Sequence, residues 1–316
     1  MAINSFSSTK NKMKNSFKAD MHFHTSLSDW RLDNNTILKS VKSRADFLTA
    51  TDHDFVNSEF KKLAEKNWIE SYEWVEISIM DENYWYFHMT AYAKKFSQEI
   101  LDILENTRNG RRSKIYKQIW LLSANWIDIN EYDFFRFFEK KWINSFNLNI
   151  YHLASYIYRF ERNKKRVKEI AWESLDKIEF LKRFLRNEGD YAHIWSATVE
   201  EYTPLITDVI DKVHDTWWIL SIAHPNFSFK SEEFKSRILH FLDLWTDAIE
   251  INTRATEEEV KTIIELSGDW SILTFWSDCH FTPYSEEDHW SFLEMNPYVS
   301  EELVRQNIEK IRKRLK

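Results

Sequence analysis

Two histidines one residue apart, His22 and His24 in the segment DMHFH, have the spacing for chemistry. Alternate residues of a strand point to the same side, so the pair presents two imidazoles to one ion. Asp278 and His280 repeat the spacing near the other end of the chain, which turns the lone Cys279 to the opposite face. Asp29, Asp52, His53, Glu76, His88, His193, His224 and Glu250 supply further donors between them. Imidazole and carboxylate ligands suit Zn, Mn or Fe, and the absence of Cys ligands disfavours a structural zinc site. So many donors predict a cluster, in which Glu76 bridges two ions. Such a cluster activates a water and clamps the attacking and leaving oxygens of a phosphoryl ester. Taken singly, each residue has a plainer account. An isolated HxH is often incidental, His224 sits in a His-Pro step, and His88 alone fits a core histidine. Their orderly progression along the chain favours the cluster.

The elements that must position these residues are short apolar segments, each ending in polar, metal-competent side chains. They are 19–24 (ADMHFH), 46–53 (DFLTATDH), 74–78 (WVEIS), 86–92 (YFHMTAY), 218–225 (WILSIAHP), 247–252 (DAIEIN) and 271–280 (SILTFWSDCH). Polar, helix-compatible stretches such as NNTILKSVKSR lie between them. Alternation of this kind predicts a parallel α/β barrel with its active site at the strand C-terminal face. The middle of the chain differs. Helical apolar spacing in EILDILENTR, IYHLASYIYRF and SLDKIEFLKRFLRN predicts a helical insertion over 97–200. Residues 1–17 read as a flexible tail, leaving 18–96 and 201–316 for the barrel.

At 43% hydrophobic and 29% charged residues, the composition is that of a globular domain, neither disordered nor fibrous. No apolar run approaches the roughly 18 residues of a membrane span. The first residues lack an apolar core, so no secretory signal is expected. One Cys excludes an intramolecular disulfide framework. A cytoplasmic protein without membrane partners is the expectation. A net charge of -7 argues against duplex-DNA binding, which normally needs a basic face. Basic runs at 108–114, 162–168 and 310–316 read first as solvated helix faces and second as a groove for a polyanion.

In order along the chain, DMHFHTSLSD, ADFLTATDHD, VEIS, FHMTAY, SIAHPNFS, AIEIN and SDCH resemble the motifs of the PHP (polymerase and histidinol phosphatase) phosphoesterases. The resemblance spans 18–280. It implies a distorted (βα)7 barrel with an inserted helical subdomain and two or three divalent ions (Zn, Mn or Fe). The family pattern places one ion on His22, His24, Glu76 and Asp278. A second falls on Glu76, His88 and His224, with His193 competing for it or meeting phosphate, and a third on Asp29, His53 and His280. Through their ions, His22, His24, Glu76, Asp278 and His280 form the expected catalytic set. Asp20 and Asp52 are expected to orient ligand imidazoles, and Glu250 is not expected to be a ligand.

The helical insertion makes the chain similar to the nucleoside 3′,5′-bisphosphate phosphatase and 5′→3′ oligoribonuclease branch. YAHIWSATV is weakly similar to an Arg-His helix start of that branch, although Ala192 departs from it. Arg111, Arg112 and Arg254 are the candidate phosphate contacts, with Arg108 beside them. The expected activity is hydrolysis of nucleotide phosphate esters or of a short single-stranded RNA end by a metal-activated hydroxide. A phosphatase of the histidinol-phosphate type and a non-catalytic PHP binding module are the alternatives.

The chain has 3 Gly and 15 Trp, whereas average glycine usage would give roughly 22. Where the resembled motifs read SDG, GVEIS and GSDCH, this sequence has Ser28-Asp29-Trp30, Trp74-Val75-Glu76 and Trp276-Ser277-Asp278. Trp217-Trp218 stand where two glycines would open a strand. Trp68, Trp126 and Trp142 fall where glycine would end a helix. An indole meets neither need of such positions, a positive φ or a close backbone approach. The expectation is a gene that encodes glycine by UGA, with these codons written as Trp.

Overall fold

The computed structural model describes residues 17–28, 32–41, 44–83, 85–141, 143, 145–186, 189–191, 202–214, 218–279 and 292–316. Among them, seven strands appear where the apolar segments predict them. These are β1 (Ala19–Phe23), β2 (Phe47–Ala50), β3 (Glu73–Asp81), β4 (Trp85–Ala93), β5 (Ile219–Ile222), β6 (Ala248–Asn252) and β7 (Ile272–Trp276). β1 and β2 pair in parallel, and β3 to β7 form a five-stranded sheet in chain order. Single parallel bridges continue the pairing at both edges. Phe23 bridges to Cys279 just beyond β7, while Phe47 and His53 bridge to Glu70 and Glu76.

The sheet is not parallel throughout, as strict βα alternation predicts. β4 runs antiparallel to both β3 and β5. Its connection to β3 is only residues 82–84, and a parallel crossover needs a dozen or more. The hairpin puts Glu76 opposite Thr90 and Ser78 opposite His88. With a period of two, Trp74, Glu76 and Ser78 therefore share a face with Tyr86, His88, Thr90 and Tyr92.

Helices α1 (Asn34–Val41) and α2 (Ser58–Lys66) cover β1 and β2 through Ile37, Leu38, Val41, Phe60 and Ala64. The sheet's own core includes Val75, Ile77, Met89, Leu220, Ile249 and Leu273. The next helices are α3 (Gln98–Ala124), α4 (Glu131–Glu139), α5 (Ile150–Ile157), α6 (Glu161–Ala171) and α7 (Lys177–Phe180), with a π turn at Leu181–Leu185. They gather a separate apolar cluster around Phe134, Phe138, Leu153, Phe180 and Phe184. α3 begins at Ser97, whose hydroxyl accepts from the Ile100 amide, and its first turns pack Ile100 and Leu104 into the sheet's core. The remaining helices are α8 (Ile206–His214), α9 (Pro225–Ser228), α10 (Phe234–Asp243), α11 (Glu257–Ser267) and α12 (Glu301–Arg314). Phe17, read from the sequence as part of the tail, is instead buried in the core under the Arg305 guanidinium. No helix among the described residues is long and apolar enough to cross a membrane.

Three helices end in the same hydrogen-bonded motif. After α2, the Trp68 amide donates to Glu65 O and the Ile69 amide to Ala64 O. Trp126 and Ile127 repeat this after α3, and Trp245 and Thr246 after α10. This is the Schellman arrangement, whose left-handed residue is normally glycine. Here the left-handed residues are Trp68, Trp126 and Trp245, at φ 62°, 66° and 68°, and Trp172 ends α6 at φ 59°. Their indoles are 77–96% exposed, so they gain almost no burial to offset a left-handed backbone that costs an L-residue about 1–2 kcal/mol. Trp126→Gly is accordingly expected to stabilise the fold by about 1 kcal/mol. Urea unfolding checks this, and a destabilised variant would contradict it.

Candidate metal centre

Glu76, 1% exposed, lies at the centre of a convergent set of imidazoles. Its Oε2 is 3.5 Å from His22 Nε2, 3.4 Å from His24 Nε2 and 2.8 Å from His53 Nδ1. Its Oε1 is 3.0 Å from His88 Nδ1 and 2.8 Å from His224 Nε2. Asp278 Oδ1 is 3.4 Å from His24 Nε2 and 4.0 Å from His22 Nε2. The two carboxylate oxygens thus face two groups of donors, His22, His24, His53 and Asp278 on one side and His88 and His224 on the other. His22–His24–Glu76 and His53–Glu76–His88 each bring three ligand atoms close enough for one ion.

The first group fits a tetrahedral ion. Bonds of 2.0–2.2 Å place the ligand atoms of such an ion roughly 3.4 Å apart. His22 Nε2 and Glu76 Oε2 are buried and make no hydrogen bond among the described residues. Leaving buried polar atoms unsatisfied is costly, and a cation between them would remove that cost. Asp278 reaches the group from a left-handed backbone, φ 48°, fixed by its amide donating to His22 O at 3.1 Å.

Electrostatics point the same way. Burial opposes an ionised Glu76, yet His53, His88 and His22 beside it hold its pKa well below the usual carboxylate range. Burial likewise opposes a charged His22, but Glu250 and Glu76 raise its pKa well above the ordinary imidazole value. His88 is lowered, by burial first and despite Glu76, with His53 and His224 adding to the fall. The cluster holds Glu76 ionised by gathering positive charge around it, which a divalent ion would supply more compactly than protons.

His22, His24 and His224 are oriented from behind. His22 Nδ1 is 3.1 Å from Glu250 Oε1, and Glu250 also accepts from Thr90 Oγ1 at 2.7 Å and from the His224 amide at 3.0 Å. His24 Nδ1 is 3.2 Å from Ser28 Oγ, which donates to Asp52 at 2.6 Å. Asp52 also accepts from the Thr25 amide and hydroxyl at 2.7 Å each. His224 Nδ1 is 2.9 Å from Ser228 Oγ. Fixing one ring nitrogen in this way aims the other. Asp52 therefore orients His24 through Ser28. Among the described residues Asp20 meets no imidazole: its carboxylate accepts from the Ser277, Leu293 and His22 amides, and burial raises its pKa to about 6.

Of the residues singled out from the sequence, His22, His24, His53, Glu76, His88, His224 and Asp278 come together. Asp29, His193 and His280 lie outside the described residues. Arg111 pairs with Asp54 and donates to Ser78 Oγ at 3.1 Å. The Arg112 guanidinium lies over Tyr116, Phe135 and Phe146. The Arg254 amide bonds to its own loop at Asn252. The sequence reading missed Glu250 as the partner of His22, and missed Ser28, Thr90 and Ser228 altogether. The sequence signal for Glu250 is limited to alternation, which puts its carboxylate on the strand face opposite Ile249 and Ile251 without saying that this face is an interior.

No family model and no curated protein matches this sequence. The fold does match solved structures. An amidohydrolase from Chromobacterium violaceum, with bound sulfate and no metal, superposes with a TM-score of 0.69 at 17% identity, over 94% of this chain and 96% of that one. A protein assigned as a metal-dependent phosphoesterase from Bifidobacterium adolescentis gives 0.64 at 17% identity, over 93% and 96%. The chain has the fold of these proteins over nearly its whole length.

Glu250 gives a direct test of the electrostatics. In metal-free protein, Glu250→Gln removes the charge that most raises the His22 pKa, so His22 should titrate at a lower pH. Histidine NMR titration measures it, and an unmoved midpoint would mean that Glu76 alone sets the value.

Proposed function

We propose that this chain is a PHP-type metal-dependent phosphoesterase. The observation that carries the reading is the convergence of His22 Nε2, His24 Nε2, Glu76 Oε2 and Asp278 Oδ1 at 3.4–4.0 Å. The likeness of fold to a protein assigned as a metal-dependent phosphoesterase supports it. In this reading the strands form a seven-stranded barrel over 18–96 and 201–316, and 97–200 is a helical insertion. His22, His24, Glu76 and Asp278 hold one ion, and Glu76 shares its other oxygen with a second ion on His88 and His224. His53, with Asp29 and His280, serves a third, and His193 competes at the second or meets phosphate. Bound Zn, Mn or Fe would supply a water ionised near neutral pH and a clamp on the phosphoryl oxygens. The protein's part is to hold the donors. Glu250 and the Asp52–Ser28 pair fix the His22 and His24 rings, and the buried setting strengthens every charge interaction inside.

The substrate class is a nucleotide phosphate ester or the end of a short single-stranded RNA, with Arg111, Arg112 and Arg254 as the candidate cations. Metal-replete protein should release phosphate or nucleotide from nucleoside 3′,5′-bisphosphates or 5′-phosphorylated oligoribonucleotides. Glu76→Gln should lower the rate by more than the roughly 10–100-fold that loss of an orienting partner costs. Preference for histidinol phosphate would move the assignment to a small-molecule phosphatase. No release from any of the three would favour a binding module.

We also infer that the native chain carries glycine where tryptophan is written. The left-handed Trp68, Trp126, Trp172 and Trp245 support this, and so do two buried indoles. Trp74 and Tyr92 have ring centroids only 3.2 Å apart, below the 4.5–7 Å of ordinary aromatic pairs. Trp276 lies stacked on His22 at 4.6 Å. The Nε1 of both indoles is buried without a hydrogen bond among the described residues, although a buried indole N–H usually finds a partner. UGA codons, with glycine masses in peptides from the source cells, are the expected result. UGG at these positions would overturn it. The reading is made position by position, because Trp120 sits within α3, a turn before its end, with no left-handed backbone to argue from.

A further inference from the structure

The basic run that opens at Arg108 is more than a solvated helix face. Arg108, Arg112 and Tyr116 stand four residues apart in α3 and so share one side of the helix. All three are half-buried. Arg108 lies 5.3 Å from the centre of the Phe55 ring and donates to Asp54 O at 2.6 Å. Arg112 lies 4.9 Å from the Phe146 ring, 5.4 Å from Tyr116 and 5.8 Å from Phe135, and donates to Tyr116 OH at 2.9 Å. Phe146 is 40% exposed. Cations and rings thus alternate in a row from Phe55 to Phe146.

The inner end of this row adjoins the open side of the candidate centre. Phe55 is two residues from His53, whose side chain is 15% exposed, and His88 is 19% exposed, whereas His22 and His24 are fully buried. The charges in the row are uncommitted. Arg111 is engaged with Asp54, but among the described residues Arg108 and Arg112 make no ion pair, and each makes one hydrogen bond. A guanidinium carries five N–H donors, so most remain for a ligand. Aromatic faces hold the two guanidinium groups without using those donors. Arginine pairs with phosphate, and unpaired bases stack on aromatic rings and on guanidinium planes. An acidic peptide would answer the cations but not the rings. A duplex keeps its bases stacked on one another. A single strand answers both.

We propose that this side of α3 is a track for single-stranded nucleic acid, in which Arg108 and Arg112 meet successive phosphates while Phe55 and Phe146 take bases. The substrate is then an oligonucleotide rather than a mononucleotide. The two arginines are about 6 Å apart along the helix axis, comparable with the step between neighbouring phosphates of an extended strand. That the strand ends at the ions rests on the phosphoesterase reading; that a strand binds here does not.

The test uses dye-labelled, 5′-phosphorylated oligoribonucleotides of one to four nucleotides and the full chain in EDTA, where nothing is cleaved. Affinity should rise with length. Arg112→Ala should reduce the slope of log Kd against log salt by about 0.7, the share of one single-strand phosphate, and Arg112→Lys should restore it. Phe146→Ala should weaken the tetranucleotide by about 5-fold or more, the least that one lost stacked base costs, with the salt slope and thermal midpoint of the parent. Equal affinity for one and four nucleotides, an RNA duplex bound as tightly as a single strand of the same length, or a salt slope unmoved by Arg112→Ala would overturn the proposal. Length-dependent binding with no hydrolysis once Mn2+ is supplied would keep the track and overturn the phosphoesterase reading. Hydrolysis of nucleoside bisphosphates without length-dependent binding would do the reverse.

Discussion

One buried carboxylate sets the terms for the rest of this structure. Glu76 is held ionised in a nearly dry interior, where an isolated charge would be costly, and five imidazoles lie within 3.5 Å of its two oxygens. The burial that makes it costly also makes each neighbouring charge interaction strong. Around it lie further buried acids, Glu250, Asp52, Asp54 and Asp20, yet among the described residues only Arg108 and Arg111 bring permanent cations to them. The centre is therefore short of positive charge. Divalent ions on the same atoms would remove the deficit. The strand order serves this balance: β3 carries Glu76 between the His53 bridge on one side and the β4 hairpin on the other.

Much of this was legible in the sequence because strand periodicity is simple. The HxH pair at the end of β1 and the apolar runs that became β1 to β7 could be read from types and spacing alone. The reversed β4 was not, although the shortness of residues 82–84 contained the information. The orienting shell was harder to read for a different reason. Glu250 reaches His22 across 228 residues of sequence, and Ser28 acts only through the pairing of Asp52 with its loop. Such partners are fixed by how strands are arranged around the interior, which no local pattern states. Arg111 shows the converse. Its type suggested a phosphate contact, but in the folded chain its guanidinium is engaged with Asp54 and Ser78.

The tryptophans teach a related lesson about levels of evidence. From composition they are only an oddity. Placed in the fold, Trp68, Trp126 and Trp245 complete helix-ending hydrogen bonds in a conformation that suits glycine, with their rings in solvent. Trp74 is forced into space beside Tyr92, and Trp276 covers the face of His22 with its buried Nε1 unbonded among the described residues. The exposed and buried positions fail for opposite reasons, one gaining no burial and the other having too little room. A single substitution, glycine for the indole, relieves both.

That substitution would also change the surroundings of the site. With glycine at 276, the face of His22 now covered by an indole would open towards His224, whose ring is 5.5 Å from the same indole. The donor atoms would keep their supports, because Glu250, Ser28 and Ser228 hold the rings from behind and none of these contacts passes through Trp276. Space for a ligand and geometry of the donors are thus controlled by different residues. On the proposed reading, a phosphate that engages Arg111 must still draw it from Asp54. Any such exchange would disturb Ser78, whose hydroxyl donates to Asp54. α3 and the strands that carry the candidate ligands are in that sense one electrostatic unit, joined at Asp54 by a short chain of polar contacts.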